Sequence, residues 1–204
     1  MKFIKFFTPL AFLLSIAQVS QADDLKTGGL FIEPALTYQT GTIDVNFPSP
    51  LSDSKEDVKG FGLGLRLGGH AYESLFVALD GRYSRPTYDS SALGGSGAAT
   101  AYNAGLTLGV QTPVAGLRVW GTYILTGNMD PEKIRNVDVK LNDLKGFRVG
   151  AGLYIASLSL NLEYQDAKYD STTVEEAGPL SGNLDGIDGK DKSYILSVSF
   201  PVSL

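Results

Sequence analysis

The 204-residue sequence has no cysteine, a single histidine and few basic residues. Without cysteine there is no disulfide, so an exported chain of this size must gain its stability from one sizeable fold. Without its first 22 residues, which include Lys2 and Lys5, the chain keeps 15 basic and 22 acidic residues, and the formal charge is 15 − 22 = −7. This charge argues against a nucleic-acid partner.

Long apolar runs are also missing after residue 22, since glycine, charge or polar residues interrupt every candidate segment. This excludes a membrane-spanning helix, but the test is blind to strands. The start of the chain differs: Lys2 and Lys5 precede an apolar stretch over 6–17, and Ser20 and Ala22 are small. The stretch is shorter than the roughly 20 residues a spanning helix needs. We predict a cleaved signal peptide at 1–22 and a single domain at 23–204.

Period-two alternation of apolar residues dominates the predicted mature chain and indicates β-strands. The end of the chain shows it best, with Tyr194, Leu196 and Val198 alternating with serines up to Leu204. Seven more segments begin near residues 30, 61, 75, 102, 117, 147 and 158. The sequence therefore predicts an all-β protein of eight strands.

The predicted connections alternate in length. Short links fall at 71–74, at 112–116 and around Ser157, and long links fall at 40–58, 85–98, 126–144 and 165–192. Short turns at one end and long loops at the other are typical of an antiparallel up-and-down meander. A terminal strand needs a partner for its backbone groups, so we expect the last strand to pair with the first and close a barrel.

One aromatic residue per strand lies in phase with the apolar face, near the predicted long-loop end. The eight residues are Tyr38, Phe61, Tyr83, Tyr102, Tyr123, Phe147, Tyr164 and Tyr194. The opposite face is rich in glycine, which suits a crowded barrel interior better than a solvated surface. Aromatic belts flank the apolar band of outer-membrane barrels, so we predict a transmembrane β-barrel with this girdle at an interface. The alternative is a soluble periplasmic, lipocalin-like binding barrel with core aromatics.

With stretches such as ALDGRYSRPTYD (78–89) and LRVWGTYILTG (117–127), the chain resembles the small eight-stranded outer-membrane β-barrels of Gram-negative bacteria, the OmpA/OmpX-like and opacity-protein-like group of porin-type proteins. The resemblance implies short periplasmic turns, long extracellular loops, an outer-membrane location and a monomer. It also implies contact with outer-membrane lipids and lipopolysaccharide, and an assembly machinery that reads the last strand. That strand carries Phe200 and Leu204, where the group usually ends on an aromatic residue.

Charged residues of both signs occupy the predicted inward face and must pair there, because an unpaired buried ion is costly. They are Glu33, Arg66, Asp80, Arg82, Arg118, Arg148 and Glu163. If 71–74 closes a hairpin, Arg66 lies opposite Asp80. These residues either form a salt-bridged plug or line a gated or ligand-binding lumen, and eight strands leave room for little besides side chains.

Catalytic and metal-binding patterns are lacking. The only histidine reads His70-Ala71-Tyr72 at a short-turn end, whereas lipid A deacylases of this size use His-x-Ser near the outer rim. The acidic stretch at 185–191 fails the EF-hand spacing, since Leu196 stands at the position of the bidentate glutamate. We therefore expect no enzyme activity, no metal and no cofactor. The expected function is surface interaction through the loops, with an extracellular ligand, or envelope integrity. The alternative is narrow-pore transport of small, hydrophobic molecules, as in OmpW-like barrels.

Overall fold

The computed structural model describes residues 29–46, 53–71, 74–112, 116–155, 157–177, 180–184 and 187–204. The predicted signal peptide at 1–22 lies outside the described residues. No helix among them has the length and hydrophobicity needed to cross a membrane. What the structure describes is β-sheet joined by turns.

Ten strands form a single antiparallel sheet. Their bounds are β1 Leu30–Asn46, β2 Ser54–Ala71, β3 Leu75–Ser90, β4 Gly95–Gln111, β5 Leu117–Pro131, β6 Val137–Ile155, β7 Leu158–Ala177, β8 Leu180–Leu184, β9 Asp188–Ser199 and β10 Val202–Ser203. Each of β1 to β7 pairs with the next, and β9 pairs with both β7 and β1. The sheet therefore closes on itself, as predicted.

We call each of the strand positions around the barrel wall a stave. The last stave consists of β9 and β10. Pro201 interrupts the strand, but the register against β1 is unchanged, with Ser199 opposite Ala35 and Val202 opposite Ile32. The Phe200 N–H donates to the Pro34 carbonyl at 2.9 Å, so the ladder continues through the interruption. With β9 and β10 counted as one, the ring has eight staves, and the predicted eight-stranded up-and-down barrel is confirmed.

We call the end of the barrel near Leu30 and Leu204 the terminal end and the opposite end the distal end. At the terminal end only a few residues separate β2 from β3, β4 from β5 and β6 from β7, as the sequence predicts. At the distal end the structure corrects the prediction of long loops. Most of 40–58, 85–98, 126–144 and 165–192 is strand, and β3 and β4 are joined by the four residues 91–94 alone.

The β5–β6 connection illustrates this difference. Arg135 and Asn136 have φ of 48° and 65°, and Ile134 and Val137 exchange backbone hydrogen bonds of 3.0 and 2.9 Å around them. Two central residues with positive φ mark the type I′ turn that suits a two-residue hairpin. The predicted loop is thus a tight hairpin with strand arms, because its residues keep alternating in the opposite phase.

The aromatic girdle divides the barrel into two parts with inverted amphipathicity. All four girdle pairs are direct cross-strand neighbours: Tyr38 with Phe61, Tyr83 with Tyr102, Tyr123 with Phe147 and Tyr164 with Tyr194. On the terminal side, which we call the apolar band, leucines and valines face outward, and Leu63, for example, is 54% exposed. On the distal side, which we call the distal segment, Lys, Asp and Thr side chains face outward instead.

The interior of the distal segment is a packed apolar core. Its buried members are Ile43, Val45, Val58, Tyr88, Ala99, Ala101, Ile124, Met129, Ile134, Leu141, Leu144, Ala167, Tyr169 and Ile187. Ile43 and Ile124 are fully buried. The apolar band therefore has the outer surface of a membrane protein, whereas the distal segment has the core and surface of a water-soluble barrel.

The distal core generates a stability prediction. Ile43→Ala should lower the free energy of unfolding by about 2–5 kcal/mol, because it leaves a cavity among well-packed neighbours. The measurement is urea unfolding of the protein folded in detergent micelles. Thr42→Ala, one residue away on the outward face, is the matched control and should change the free energy by less than about 0.5 kcal/mol. Equal effects of the two variants would mean that the distal interior is not packed.

Candidate functional site

The charged lumen of the apolar band is the candidate site. The seven predicted interior charges all project into it from β1, β2, β3, β5, β6 and β7. Arg66 lies opposite Glu33 in the β1–β2 ladder and opposite Asp80 in the β2–β3 ladder. Its guanidinium nitrogens approach Asp80 Oδ2 at 3.1 Å and Glu33 Oε2 at 3.5 Å. Arg66 therefore bridges two carboxylates on neighbouring strands.

Asp80 is the centre of the network, because three arginines contact its carboxylate. Besides Arg66, Arg82 Nε donates to Oδ1 at 3.1 Å and Arg148 Nη1 donates to the same oxygen at 3.0 Å. Asp80 is 4% exposed and Arg148 is 1% exposed. Charge-assisted hydrogen bonds of this kind are the strong ones, and they fix three long side chains across the bore.

Two further carboxylates connect opposite walls of the barrel. Arg118 on β5 donates two parallel hydrogen bonds, of 2.9 and 2.8 Å, to Glu33 on β1, and Ser199 on the last stave donates to Glu33 at 2.6 Å. On β7, Glu163 accepts from Trp120 Nε1 at 2.8 Å and lies 2.7 Å from Arg82 Nη2. The bidentate pair spans the bore.

Aromatic rings close the lumen toward the terminal end. Phe31, Phe76 and Trp120 form a buried cluster together with Ala78. The Arg118 guanidinium lies 5.2 Å from the centre of the Phe76 ring, and that of Arg66 lies 4.9 Å from the Trp120 ring. Because cations favour the faces of aromatic rings, the cluster supports the arginines while sealing the barrel below them.

Sequence reasoning missed an eighth member of the network, Asp191. Arg148 Nη2 donates to Gln165 Oε1 at 2.8 Å, and Gln165 Nε2 donates to Asp191 Oδ2 at 2.7 Å. Ser193 also donates to Asp191. Asp191 thus brings the four arginines into balance with four carboxylates. The sequence does contain an indication of it, because Asp191 lies two residues before Ser193, in phase with the inward face of the last stave.

Asp191 lies three residues beyond the girdle residue Tyr194, in the distal segment. Burial raises the pKa of its carboxyl group to about 6, against the hydrogen bonds from Ser193 and Gln165 that favour the charged form. It sits between the ion network on one side and the apolar core on the other, with Ile43 and Ala167 opposite it in the two ladders. Arg148 reaches it through Gln165, whereas arginines pair directly with Glu33, Asp80 and Glu163.

The remaining predicted site residues fall into two groups. The girdle side chains point outward, and the exposed fraction of Phe61 reaches 74%. In the last stave, Leu204 is 78% exposed, whereas Phe200 is only 9% exposed although it shares the outward phase and lies beside Pro34. Of these two side chains, only that of Leu204 is exposed.

His70 lies at the terminal end, half-buried, with its ring 5.1 Å from that of Phe31. No hydrogen bond from its side chain to a serine or a carboxylate occurs in the described part of the chain. Nor do three or more His, Cys, Asp or Glu side chains there form a cluster that could hold a metal ion. The charged side chains of the lumen that the structure describes are joined by ion pairs.

Comparison with known proteins supports the fold. No protein-family model matches the chain, and no curated protein sequence matches it. Among solved structures, the outer membrane protein OprG from Pseudomonas aeruginosa matches with a TM-score of 0.52 at 13% identity, over 86% of this chain and 97% of that one. Neisserial surface protein A (NspA) matches with a TM-score of 0.49 at 13% identity, over 88% of this chain and 100% of that one. The likeness to OprG shows that the chain has the fold of an outer-membrane β-barrel.

The network predicts an order of stability losses. Asp80→Asn should cost about 3–5 kcal/mol, because it leaves three buried arginines without their common carboxylate. Arg66→Met should cost less, since Asp80 keeps Arg82 and Arg148. The double variant should be less destabilised than the sum of the two, because each removes the other's uncompensated charge.

The measurement is urea unfolding in micelles for the two single variants and the double variant. The surface pair of Lys145 and Asp170, at 3.3 Å and about half-exposed, is the matched control and should contribute less than about 1 kcal/mol. Strict additivity of Asp80→Asn and Arg66→Met would contradict the proposed coupling.

Asp191 predicts a pH dependence. Its pKa is about 6 in the folded protein, above the value near 3.8 of an ordinary aspartate, so the folded state binds the proton more tightly. The contribution of Asp191 to stability should therefore be full below about pH 4, fall as the pH rises from about 4 to 6, and stay level above. Asp191→Asn should remove this fall and raise the urea midpoint at pH 7.5, because the amide can donate to Ser193 as the protonated acid would. Asp170→Asn, at an exposed position, is the control and should leave the pH dependence in place.

Proposed function

We propose that the chain is a closed, non-enzymatic outer-membrane β-barrel that carries a rigid distal segment out of the membrane for surface interaction or envelope integrity. The observation that carries the proposal is the inversion of amphipathicity at the girdle. An outward apolar surface is stable in hydrocarbon, and an outward charged surface around an apolar core is stable in water. A protein with both in series belongs at a membrane interface.

Basic residues directly beyond the girdle support this placement. The first outward position on the distal side is basic on four staves, with Lys59, Arg85, Lys145 and Lys192, and acidic on one, with Asp166. We call this ring the basic collar. It stands out in a chain with a net charge of −5. Lysine and arginine at this depth reach the anionic headgroups while their methylene stems stay in the apolar region.

The predicted signal peptide and the resemblance to outer-membrane barrels support one direction of insertion. Both chain ends of the mature protein would then lie on the periplasmic side, and the distal segment would stand at the cell surface. Its hairpins, including residues 91–94 and the turn at Arg135 and Asn136, would meet any extracellular ligand. Because the core beneath is packed, the hairpins are held on a rigid support.

The interior supports a closed lumen. From the terminal end, the bore contains the aromatic cluster, the ion network and then the distal apolar core, and each layer is buried. The ion network has few mobile charges, since each carboxylate is held by two or more donors. A conducting path would have to break bidentate pairs such as Arg118 with Glu33.

Transport of small apolar molecules is the second candidate, and one cavity favours it. A cavity of about 180 Å³ opens at the distal end, between Val45, Tyr88, Leu93, Val139 and Ile187. It would admit a small hydrophobic molecule. Beneath it lie Ile43, Leu144 and Tyr169, all 2% exposed or less, so passage would require the core to rearrange.

Planar-bilayer recording tests the two candidates. The wild-type protein should give no stable channels, because the ion network and the distal core both fill the bore. Asp80→Asn with Arg82→Gln should add at most brief openings, since the distal core remains. Long-lived channels in the wild type would favour the transport function instead.

Gel migration and proteolysis test the membrane placement separately. The folded protein should run differently before and after boiling in dodecyl sulfate, because a closed barrel satisfies its backbone groups within the sheet. Protease applied to intact cells should cut near 91–94 and 132–136 and spare 112–116. Cuts at 112–116 in intact cells would reverse the proposed orientation.

A further inference from the structure

A groove of about 490 Å³ lies on the outer wall of the apolar band. The outward residues along it are Pro34, Leu36, Leu63, Leu65, Gly81 and Tyr83. It is also bordered by the inward Ala35, Gly64, Arg82 and Asn103 and by the buried Phe200. The groove runs across β1, β2 and β3 just inside the girdle, which Tyr83 marks. Its size lies within the roughly 300–1,000 Å³ of clefts that hold small ligands, and its walls are apolar. On a wall covered mainly by leucine and valine, this groove is a local depression.

Gly81 explains why the groove exists. It occupies an outward position on β3, opposite Leu65 on one side and Ala104 on the other. A Cβ added at Gly81 would meet only the Leu65 carbonyl oxygen, at 3.8 Å. The position thus has room for a side chain and lacks one. Packing within the barrel does not require glycine here, in contrast to the inward Gly150, which lies against the Trp120 ring.

Two basic side chains stand at the distal end of the groove. Arg85 follows Tyr83 by two residues on the outward face of β3 and lies opposite Phe61. Lys59 precedes Phe61 by two residues on the outward face of β2. Arg85 contacts Glu132 at 3.3 Å, but both side chains are more than 60% exposed, so this pair is weak and leaves the guanidinium able to bind an anion.

The acidic residues nearby fix the depth at which an anion could bind. Asp57 and Asp89 lie opposite each other, two residues beyond Lys59 and four beyond Arg85 on their strands. An anion would therefore be attracted at the level of the basic collar and repelled further out. That level is where lipid phosphates lie if the girdle marks the membrane interface.

We propose that this groove binds one phosphate-bearing membrane lipid, with an acyl chain along Gly81 and the phosphate on Lys59 and Arg85. The inference rests on the proposed membrane placement and names a specific partner for it. A second copy of the chain fits less well, because a convex barrel wall would leave the groove empty and the two cations unpaired. The apolar groove matches the acyl chain of a lipid, and the adjoining cations match its phosphate, which lies nearer the membrane surface.

Native mass spectrometry of the protein in detergent tests the proposal. The probes are dioleoyl phosphatidylglycerol and dioleoyl phosphatidylcholine, which have the same acyl chains and differ in net headgroup charge. The wild type should retain one phosphatidylglycerol molecule, with a preference over phosphatidylcholine of roughly tenfold, equivalent to about 1.4 kcal/mol. Both lipids have a phosphate, but the choline of phosphatidylcholine cancels its charge, so equal retention of the two would overturn the charge contact of Lys59 and Arg85 with the headgroup.

Glycine variants test the groove itself. Gly81→Leu should fill it and abolish retention of both lipids, and Gly81→Ala should weaken retention in part. Gly121→Leu is the matched control, because Gly121 also faces outward, on β5, and a Cβ there would meet nothing within 4 Å. It should bind as the wild type does. Unchanged retention in Gly81→Leu would overturn the proposal.

Charge variants complete the test. Lys59→Gln combined with Arg85→Gln should remove the preference for phosphatidylglycerol while the acyl groove still retains lipid. An unchanged preference would overturn the phosphate contact. The shift in gel migration on boiling is recorded for every variant. A normal shift without retained lipid contradicts the groove alone, whereas a wild type without any shift contradicts the membrane placement and the lipid site together.

Discussion

Each strand of this barrel must satisfy two environments without leaving its ladder, and the rest of the structure depends on that constraint. Side chains alternate strictly between the two faces of a strand, so the position of a residue along the strand fixes the face on which its side chain lies. Where the surroundings change from hydrocarbon to water, the sequence must exchange its apolar and polar positions while the backbone continues. On most staves the outward face becomes polar two residues beyond the girdle, as at Thr40 on β1, and the inward face becomes apolar further along, as at Ile43, five residues beyond Tyr38.

Packing inside the apolar band follows from the same alternation. With the apolar positions committed to the outer face, the inward face receives arginines, carboxylates and glycines. Four arginines need both counter-charges and space. Asp80, Glu33 and Glu163 supply the charges, and glycines supply the space. A Cβ at Gly150 would lie 2.7 Å from the Glu163 side chain, and one at Gly109 would lie 2.8 Å from Trp120 Cβ. Glycine-rich β4 and β6 flank β5, which carries Arg118 and Trp120, so small and large rows alternate around the ring.

Much of this could be predicted from the sequence, and the part that could not has a physical reason. Outward alternation of leucine and aromatic residues defines eight staves and the inward charges, including the Arg66 and Asp80 register. The distal strands were predicted as loops because their apolar residues, such as Val58 and Tyr169, lie in the inverted phase and are separated by charges. A sequence search for strands with one continuous apolar face therefore ends each strand at the girdle. Asp191 was missed for the same reason, since it lies where the last stave changes phase.

The inversion also bears on how the protein reaches its folded state. The outward face of the distal segment carries lysine and aspartate on nearly every stave, for example Lys59, Asp57 and Lys190. A charged side chain on the lipid face of a barrel costs about 2–4 kcal/mol at the midplane for Lys or Arg, and less for Asp or Glu. Ten or more such residues together exceed the roughly 5–15 kcal/mol that stabilises a typical domain. A completed barrel could not push its distal segment through hydrocarbon. In the proposed orientation, the hairpins would therefore have to cross before the wall closes, along a path screened from lipid. Closure depends on the pairing of β9 and β10 with β1. Beyond β10, the Leu204 N–H donates to the Leu30 carbonyl at 2.8 Å and makes the last hydrogen bond of this ladder.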